Sequence, residues 1–209
     1  PGLMGSAVFS GSLPLQDALK IVDREGVSVE TALASMEREL SHLPRRQTPF
    51  PVSAYVEAHI EQGPRLEQEK RTIGVVQGIQ GARWFQVQVK GEPGHAGTVP
   101  MDRREDAFVA ALEMARALRV EVLVDSHVRF TIGRFDLSPD SPNTIPGAVE
   151  FTIDLRHPDP TFLEETGSRI APVCQEHCGT CSVVVKETMK IAPVTFNKEL
   201  IDIVRASTR

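Results

Sequence analysis

Apolar and polar positions divide the chain into three blocks. In the first, Leu15, Ala18, Leu19 and Val22 recur at intervals of three and four, and so do Leu33, Met36 and Leu40. That spacing predicts two amphipathic helices, with Ser28 placed to cap the second. A connector rich in proline and arginine follows, HLPRRQTPFP. VSAYVEAHI then alternates, with Val52, Ala54, Val56 and Ala58 on one face and Tyr55, Glu57 and His59 on the other. Period two predicts a strand, ending at the turn EQGP. Pro64 is expected to open a short helix over RLEQE, and TIGVV to form another short strand.

The second block begins near Gly81. WFQVQVKG sets Phe85, Val87 and Val89 against Gln86, Gln88 and Lys90, the pattern of a half-buried strand. Asp102 and Glu105 resemble a capping box ahead of a helical stripe of Phe108, Ala111, Leu112, Ala115 and Leu118. VRFTIGRF predicts a second strand and SPDSPNTIPG a turn-rich loop. AVEFTIDLR predicts a third strand, with Val149, Phe151, Ile153 and Leu155 on one side. TFLEETGSRIAPVCQEHC predicts a second helix, which Pro172 is expected to kink or shorten. CSVVVKETM completes the set as a fourth strand. The order β-α-β-β-α-β is the ferredoxin-like arrangement.

Two helices cover only one face of a four-stranded sheet. The other face is expected to carry Gln86, Gln88, Lys90, Glu150, Thr152, Asp154 and Arg156, a polar surface that looks onto water, a ligand or another domain. The third block, FNKELIDIVRA, predicts a helix capped by Asn197 that returns to the first block. The middle block is therefore expected to be an insertion, with boundaries at 1–80, 81–192 and 193–209.

Composition narrows the function classes. The chain has 209 residues, 41% of them hydrophobic and 24% charged, which suffices for a sizeable core. A net charge of −5 without a long basic run gives no footprint for nucleic acid or an anionic membrane. No apolar stretch reaches the length of a membrane span. The opening, PGLMGSAVFSG, has no initiator Met and starts in mid-pattern, so an internal piece of a longer protein is expected. Cys174, Cys178 and Cys181 are an odd, clustered set and make a poor disulfide framework. With His177 they could be read as a metal cluster, but no second Cys/His pair closes a tetrahedral site. The simpler expectation is a helix end packed with small apolar residues in a reduced, cytoplasmic protein.

Four residues are candidates for chemistry. His59 lies at the end of a predicted strand beside Glu61, Gln62 and a Gly-Pro turn, where an open α/β sheet places ligand-binding groups. A neutral imidazole there suits a metal, although a catalytic metal needs about three protein ligands. His95 lies between glycines in GEPGHAGTVPM, where loose backbone allows an imidazole to be aimed at a substrate oxygen. Asn143 offers an amide donor from a loop. Arg156, at a strand end on the face without core residues, carries the fork that matches a carboxylate. Taken singly, each has an ordinary alternative: a hydrogen-bonded histidine, a local turn cap, or a surface ion pair of Arg156 with Asp154 or Asp159.

AHIEQGP, GEPGHAGTVPMDRREDA and NTIPGAVEFTIDLRHPD, in this order and spacing, resemble the amidase, hydantoinase/carbamoylase group of the M20 metallopeptidase superfamily. That group contains N-carbamoyl-L-amino-acid hydrolases, β-ureidopropionases and allantoate amidohydrolases. The resemblance implies a mixed α/β and α+β fold: a partial M20-type catalytic α/β domain with an inserted ferredoxin-like (βαββαβ) lid or dimerisation domain. It implies that His59 is a metal ligand and Gln62 a substrate-side glutamine. It implies that His95 polarises the scissile carbonyl, and that Asn143 and Arg156 hold the substrate, Arg156 by its carboxylate; His95 and Asn143 are then the candidates to meet the developing oxyanion. It further implies two divalent metal ions, zinc or manganese, in a full-length parent, a small ureido or N-carbamoyl acid substrate, and a homodimer formed through the lid.

GLMGSAVFSG resembles the stretch that follows the family's Glu-Glu motif. The His-Asp pair, the Glu-Glu pair and the last histidine of the family are not in this sequence, so the fragment alone is expected to be inactive and not to retain the metals. Gly94 and Val99 are mild variations within the lid motif, and Pro172 is unusual for the second lid helix. The resemblance also requires His59 and His95 to converge across a cleft with Arg156 beside His95. Two alternatives stay open, a noncatalytic ferredoxin-like dimerisation or ligand-binding module and an M20 aminoacylase or peptidase. HIEQGP and GTVPM favour the carbamoylase group over the latter.

Overall fold

A computed structural model describes residues 3–23, 25–44 and 49–208. The chain forms two compact units, Pro1–Ile60 and Glu61–Arg209.

The first unit is helical. It contains α1 (Met4–Phe9), α2 (Leu15–Leu19) and α3 (Val29–Glu39). Ser28 caps α3 as expected, its side chain accepting from the Thr31 amide at 3.1 Å. Phe9 and Phe50 meet edge to face, with centroids 5.1 Å apart. The stripe of Leu33, Met36 and Leu40 is on α3 or its C-cap but stays exposed. The expected strand over VSAYVEAHI is not formed. Alternation favours an extended segment, but a strand also needs a neighbour to receive its hydrogen bonds, and no ladder partner for it exists among the described residues. Arg45–Thr48 of the connector lie outside the described residues.

The second unit opens with α4 (Arg65–Gln68). The Glu61 carboxylate accepts from the amides of Arg65 and Leu66, each at 2.9 Å. Pro64 is thus the residue before the helix rather than its first member. The expected TIGVV strand is replaced by β1 (Gly78–Ile79), a few residues later. Then come β2 (Gly81–Lys90), β3 (Gly94–His95), α5 (Ala107–Val122), β4 (Arg129–Ser138), β5 (Thr144–Ile145), β6 (Ala148–His157), α6 (Pro160–Glu176), β7 (Ser182–Ile191), β8 (Val194–Thr195) and α7 (Lys198–Ser207). Strands β4-β6-β2-β7 lie in that order in one antiparallel sheet, so the ferredoxin-like order holds. β1 pairs with β8, Gly78 facing Thr195, so the chain enters and leaves the sheet side by side. α7 is capped by Asn197, whose Oδ1 accepts from the Leu200 amide at 3.1 Å.

The core lies between the sheet and α5 with α6. Phe85, Val87 and Val89 from β2 and Val149, Phe151, Ile153 and Leu155 from β6 are all buried there, as the alternation predicts. Phe151 stacks on Phe135 at 5.5 Å. Burying one such side chain contributes about 1.5–3 kcal/mol.

The helix faces differ in detail from expectation. Asp106, not an Asp102–Glu105 box, caps α5, accepting from the amides of Phe108 and Val109 at 3.0 and 3.2 Å. Met101–Arg103 instead form one 3₁₀ turn. The buried face accordingly includes Ala107, Ala110 and Met114, and leaves Leu112 exposed. Pro172 does not break α6, which runs on to Glu176. Its ring is on the exposed side, so the cost is one missing donor, while Ile170, Val173 and Cys174 keep that stretch packed.

Cys174, Cys178 and Cys181 are free and buried in the core. No trio of His, Cys, Asp or Glu among the described residues is arranged to hold a metal. Burial pushes the Cys174 thiol up to about 12. Gly179 takes positive φ just beyond the helix end, where a residue without Cβ is favoured.

Candidate functional site

The candidate residues of the sheet domain fall in two regions, at opposite ends of β6. At one end, β3 and β5 form a two-residue antiparallel ladder in which His95 faces Thr144 and Gly94 faces Ile145. The Ala96 amide donates to the Asn143 carbonyl at 3.0 Å. Ile145 is buried and anchors this platform. The amides of Gly91 and Ala107 donate to the carbonyls of Gly147 and Pro146, which joins the platform to the sheet and to the start of α5. His95 and Asn143, 48 positions apart in sequence, are therefore brought together, and both are exposed.

The two side chains present hydrogen-bond donors. The Gly97 amide donates to His95 Nδ1 at 3.0 Å. A ring nitrogen that accepts carries no hydrogen, so a neutral His95 holds its proton on Nε2. Asn143 Oδ1 accepts from Ser141 Oγ at 2.9 Å, which leaves the amide NH₂ as the outward donor. An imidazole N–H and a carboxamide N–H on one platform are the groups that meet developing negative charge on an oxygen.

Sequence reasoning missed Arg104, which lies beneath this turn. Its Nη2 donates to the Ala96 carbonyl at 2.7 Å and its Nε to the Val99 carbonyl at 3.1 Å. The signal was available in DRRED as a basic pair behind the turn, but nothing in the residue pattern tells Arg103 from Arg104.

Arg156 is at the other end, on the polar face as expected. It lies eight positions beyond Ala148 on β6, a span of roughly 26 Å at strand rise. Within one chain it does not stand beside His95, contrary to the convergence the resemblance required. Sequence spacing gave no register, and the register of β6 sets this distance. Arg156 makes the ion pair that is its ordinary alternative: Nε and Nη2 both bond the Asp154 carboxylate, at 2.9 and 2.7 Å. That pairing raises its pKa further above the ordinary arginine value. Trp84 faces Asp154 across the ladder. The buried His157 closes this end of β6: its Nε2 donates to Asp125 at 3.1 Å and its Nδ1 accepts from the Asp159 amide at 3.0 Å.

His59 is in the first unit and exposed. Its Nδ1 donates to the Ile60 carbonyl at 2.6 Å, which leaves the Nε2 lone pair outward. A ring oriented in this way through a backbone carbonyl has the donor arrangement of a metal-ligating histidine. Gln62 belongs to the second unit, is exposed and has φ of 53°. That left-handed conformation is unusual for a residue with a Cβ.

The M20 peptidase dimerisation domain matches residues 77–180. An N-carbamoyl-L-amino-acid amidohydrolase of Paenarthrobacter aurescens is 36% identical, over 98% of this chain and 50% of its own length. An allantoate deiminase of Arabidopsis thaliana is 35% identical, over 86% of this chain and 39% of its own. The crystal structure of a hydantoinase/carbamoylase family amidase from Burkholderia ambifaria superposes with a TM-score of 0.80 at 36% identity, over 100% of this chain and 51% of that one. The sheet and its two helices thus define an M20-type dimerisation domain. The chain as a whole belongs to the amidase, hydantoinase/carbamoylase group of the M20 superfamily. It spans about half the length of the curated relatives it matches.

Proposed function

We propose that the protein to which this chain belongs is a metal-dependent amidohydrolase. Its substrate is a linear ureido or N-carbamoyl acid, and its product chemistry is cleavage of a C–N bond. The observation that carries this reading is the donor pair of His95 and Asn143, held on one platform in a chain of which 98% aligns with half of an N-carbamoyl-L-amino-acid amidohydrolase. His95 Nε2–H and the Asn143 NH₂ donate to the oxygen of the carbonyl under attack. Loss of one such donor typically costs about 10²–10³ in rate.

His59 Nε2, left outward by the bond of Nδ1 to the Ile60 carbonyl, would hold one of two divalent metal ions, zinc or manganese. When bound, these supply Lewis-acid activation of water. Gln62 belongs to the substrate side of the same motif. Arg156 binds the substrate carboxylate through its fork, in competition with Asp154 or beside it.

A ureido acid spans far less than the roughly 26 Å between the two ends of β6. One substrate therefore takes His95 and Asn143 from one copy and Arg156 from another, in a homodimer formed through the domain that spans 81–192, inserted between 1–80 and 193–209. The β1–β8 ribbon is where such an insertion would leave and rejoin its host. Among the described residues no helix is long and apolar enough to cross a membrane, and the three free cysteines suit a cytoplasmic setting.

The test is hydrolysis of N-carbamoyl-L-amino acids and allantoate by the full-length protein, before and after chelation and with zinc or manganese restored. Metal-dependent release of product supports the reading. A full-length protein that cleaves neither class with either metal contradicts it.

A further inference from the structure

We propose that Arg104 is a positioning residue for His95. It acts through the backbone of residues 96–99 and touches neither the ring nor the substrate. The hydrogen bonds form a closed chain. The guanidinium holds the carbonyls of Ala96 and Val99. Between them lies Gly97, whose amide holds His95 Nδ1. The amides of Thr98 and Val99 return to the His95 carbonyl, each at 3.2 Å. The orientation of the ring, and the side from which Nε2–H points, thus depend on where the Gly97 amide sits. That in turn depends on the two carbonyls that Arg104 clamps.

Two further features fit this role. A Cβ on Gly97 would approach His95 Cε1 to 3.2 Å, so the ring lies close against a glycine with no side chain to displace it. Among the described residues the hydrogen bonds of Arg104 run only to carbonyls, so the charge is spent on shaping this turn and not on an ion pair. A planar fork with separate N–H donors spans two carbonyls of one turn, whereas an ammonium is a point charge on a flexible stem. Lysine at this position satisfies one carbonyl at a time.

The inference rests on the reading that His95 Nε2–H faces the reacting carbonyl, but part of its test does not. In hydrogen exchange, Arg104→Ala is expected to speed exchange of the Gly97 amide about tenfold, the scale of one ordinary hydrogen bond. The amides of β2 and β6 should keep their protection. Unchanged exchange at Gly97 would overturn the proposal. So would loss of protection across β2 and β6, because Arg104 would then be a folding residue. In full-length enzyme Arg104→Ala is expected to lower kcat by about 10²-fold with little change in KM, the effect of misplacing a group by about 1 Å. Arg104→Lys should recover part of that loss. A KM effect as large as the kcat effect, or full activity in Arg104→Ala, would contradict it. If the full-length protein hydrolyses no ureido or N-carbamoyl acid, the functional reading fails while the exchange result still decides the role of Arg104.

Discussion

The Ala96 amide and the Asn143 carbonyl share a hydrogen bond of 3.0 Å, and through it two loops remote in sequence become one platform. His95 precedes the donor and Asn143 is the acceptor itself, so the separation of their side chains is set by main-chain geometry. Platforms fixed by backbone ladders hold functional groups more firmly than free loops do.

His95→Ala is therefore expected to cut kcat of the full-length enzyme about 10²–10³-fold, as loss of an oxyanion donor does. The side chain is exposed, so thermal stability should barely move. Steady-state kinetics together with a melting curve check this. A loss of activity accompanied by an equally large loss of stability would reassign His95 to structure.

Arg156→Ala is expected to raise KM about tenfold or more for substrates bearing a carboxylate, the scale of a lost hydrogen bond to a charged group. Neutral ureas should be affected far less. Arg156→Lys retains the charge without the fork and should fall between. Equal effects on acidic and neutral substrates would remove the clamp.

Phe151 is fully buried and stacked on Phe135. Phe151→Ala is expected to lower unfolding free energy by about 3–5 kcal/mol, the cost of a large cavity in a core. The midpoint of urea denaturation measures it. A loss below about 1 kcal/mol would mean that the sheet and helices are not packed as described.

The buried Cys174 thiol, raised to about 12, gives a pH dependence with a definite sign. Its folded value lies above the ordinary 9.0, so ionisation favours the unfolded chain. Its contribution is whole below about pH 9 and is lost as pH climbs from there toward about 12. Cys174→Ala is expected to flatten the alkaline limb of a stability–pH curve. At pH 8 Cys174 should resist alkylation in the folded chain and react once unfolded. Rapid alkylation in the folded state would contradict its burial.

The sheet domain was legible in the sequence because its alternation is strict and both partners of each ladder lie within the chain. Phe85, Val87, Val89, Val149, Phe151, Ile153 and Leu155 fall inside as read. Where a pattern had no partner to complete it, the reading failed, as with Val52 to Ile60, whose alternation has no ladder among the described residues. Caps proved ambiguous where acids crowd together, so Asp106 displaced the Asp102–Glu105 box. His95 and Asn143 were found as separate motifs, and only the β3–β5 register joins them. The same kind of register carries Arg156 away from them, a distance that no motif spacing encodes.

That distance makes one experiment the most direct. Full-length His95→Ala and Arg156→Ala proteins, each impaired on an acidic substrate held well below KM, are mixed and allowed to exchange subunits. If a site draws His95 from one copy and Arg156 from the other, each mixed dimer holds one intact site, and activity should rise to about a quarter of wild type at random exchange. If exchange is demonstrated and activity stays at the level of the parents, the two residues do not serve one substrate across a dimer, and the account of this site is wrong.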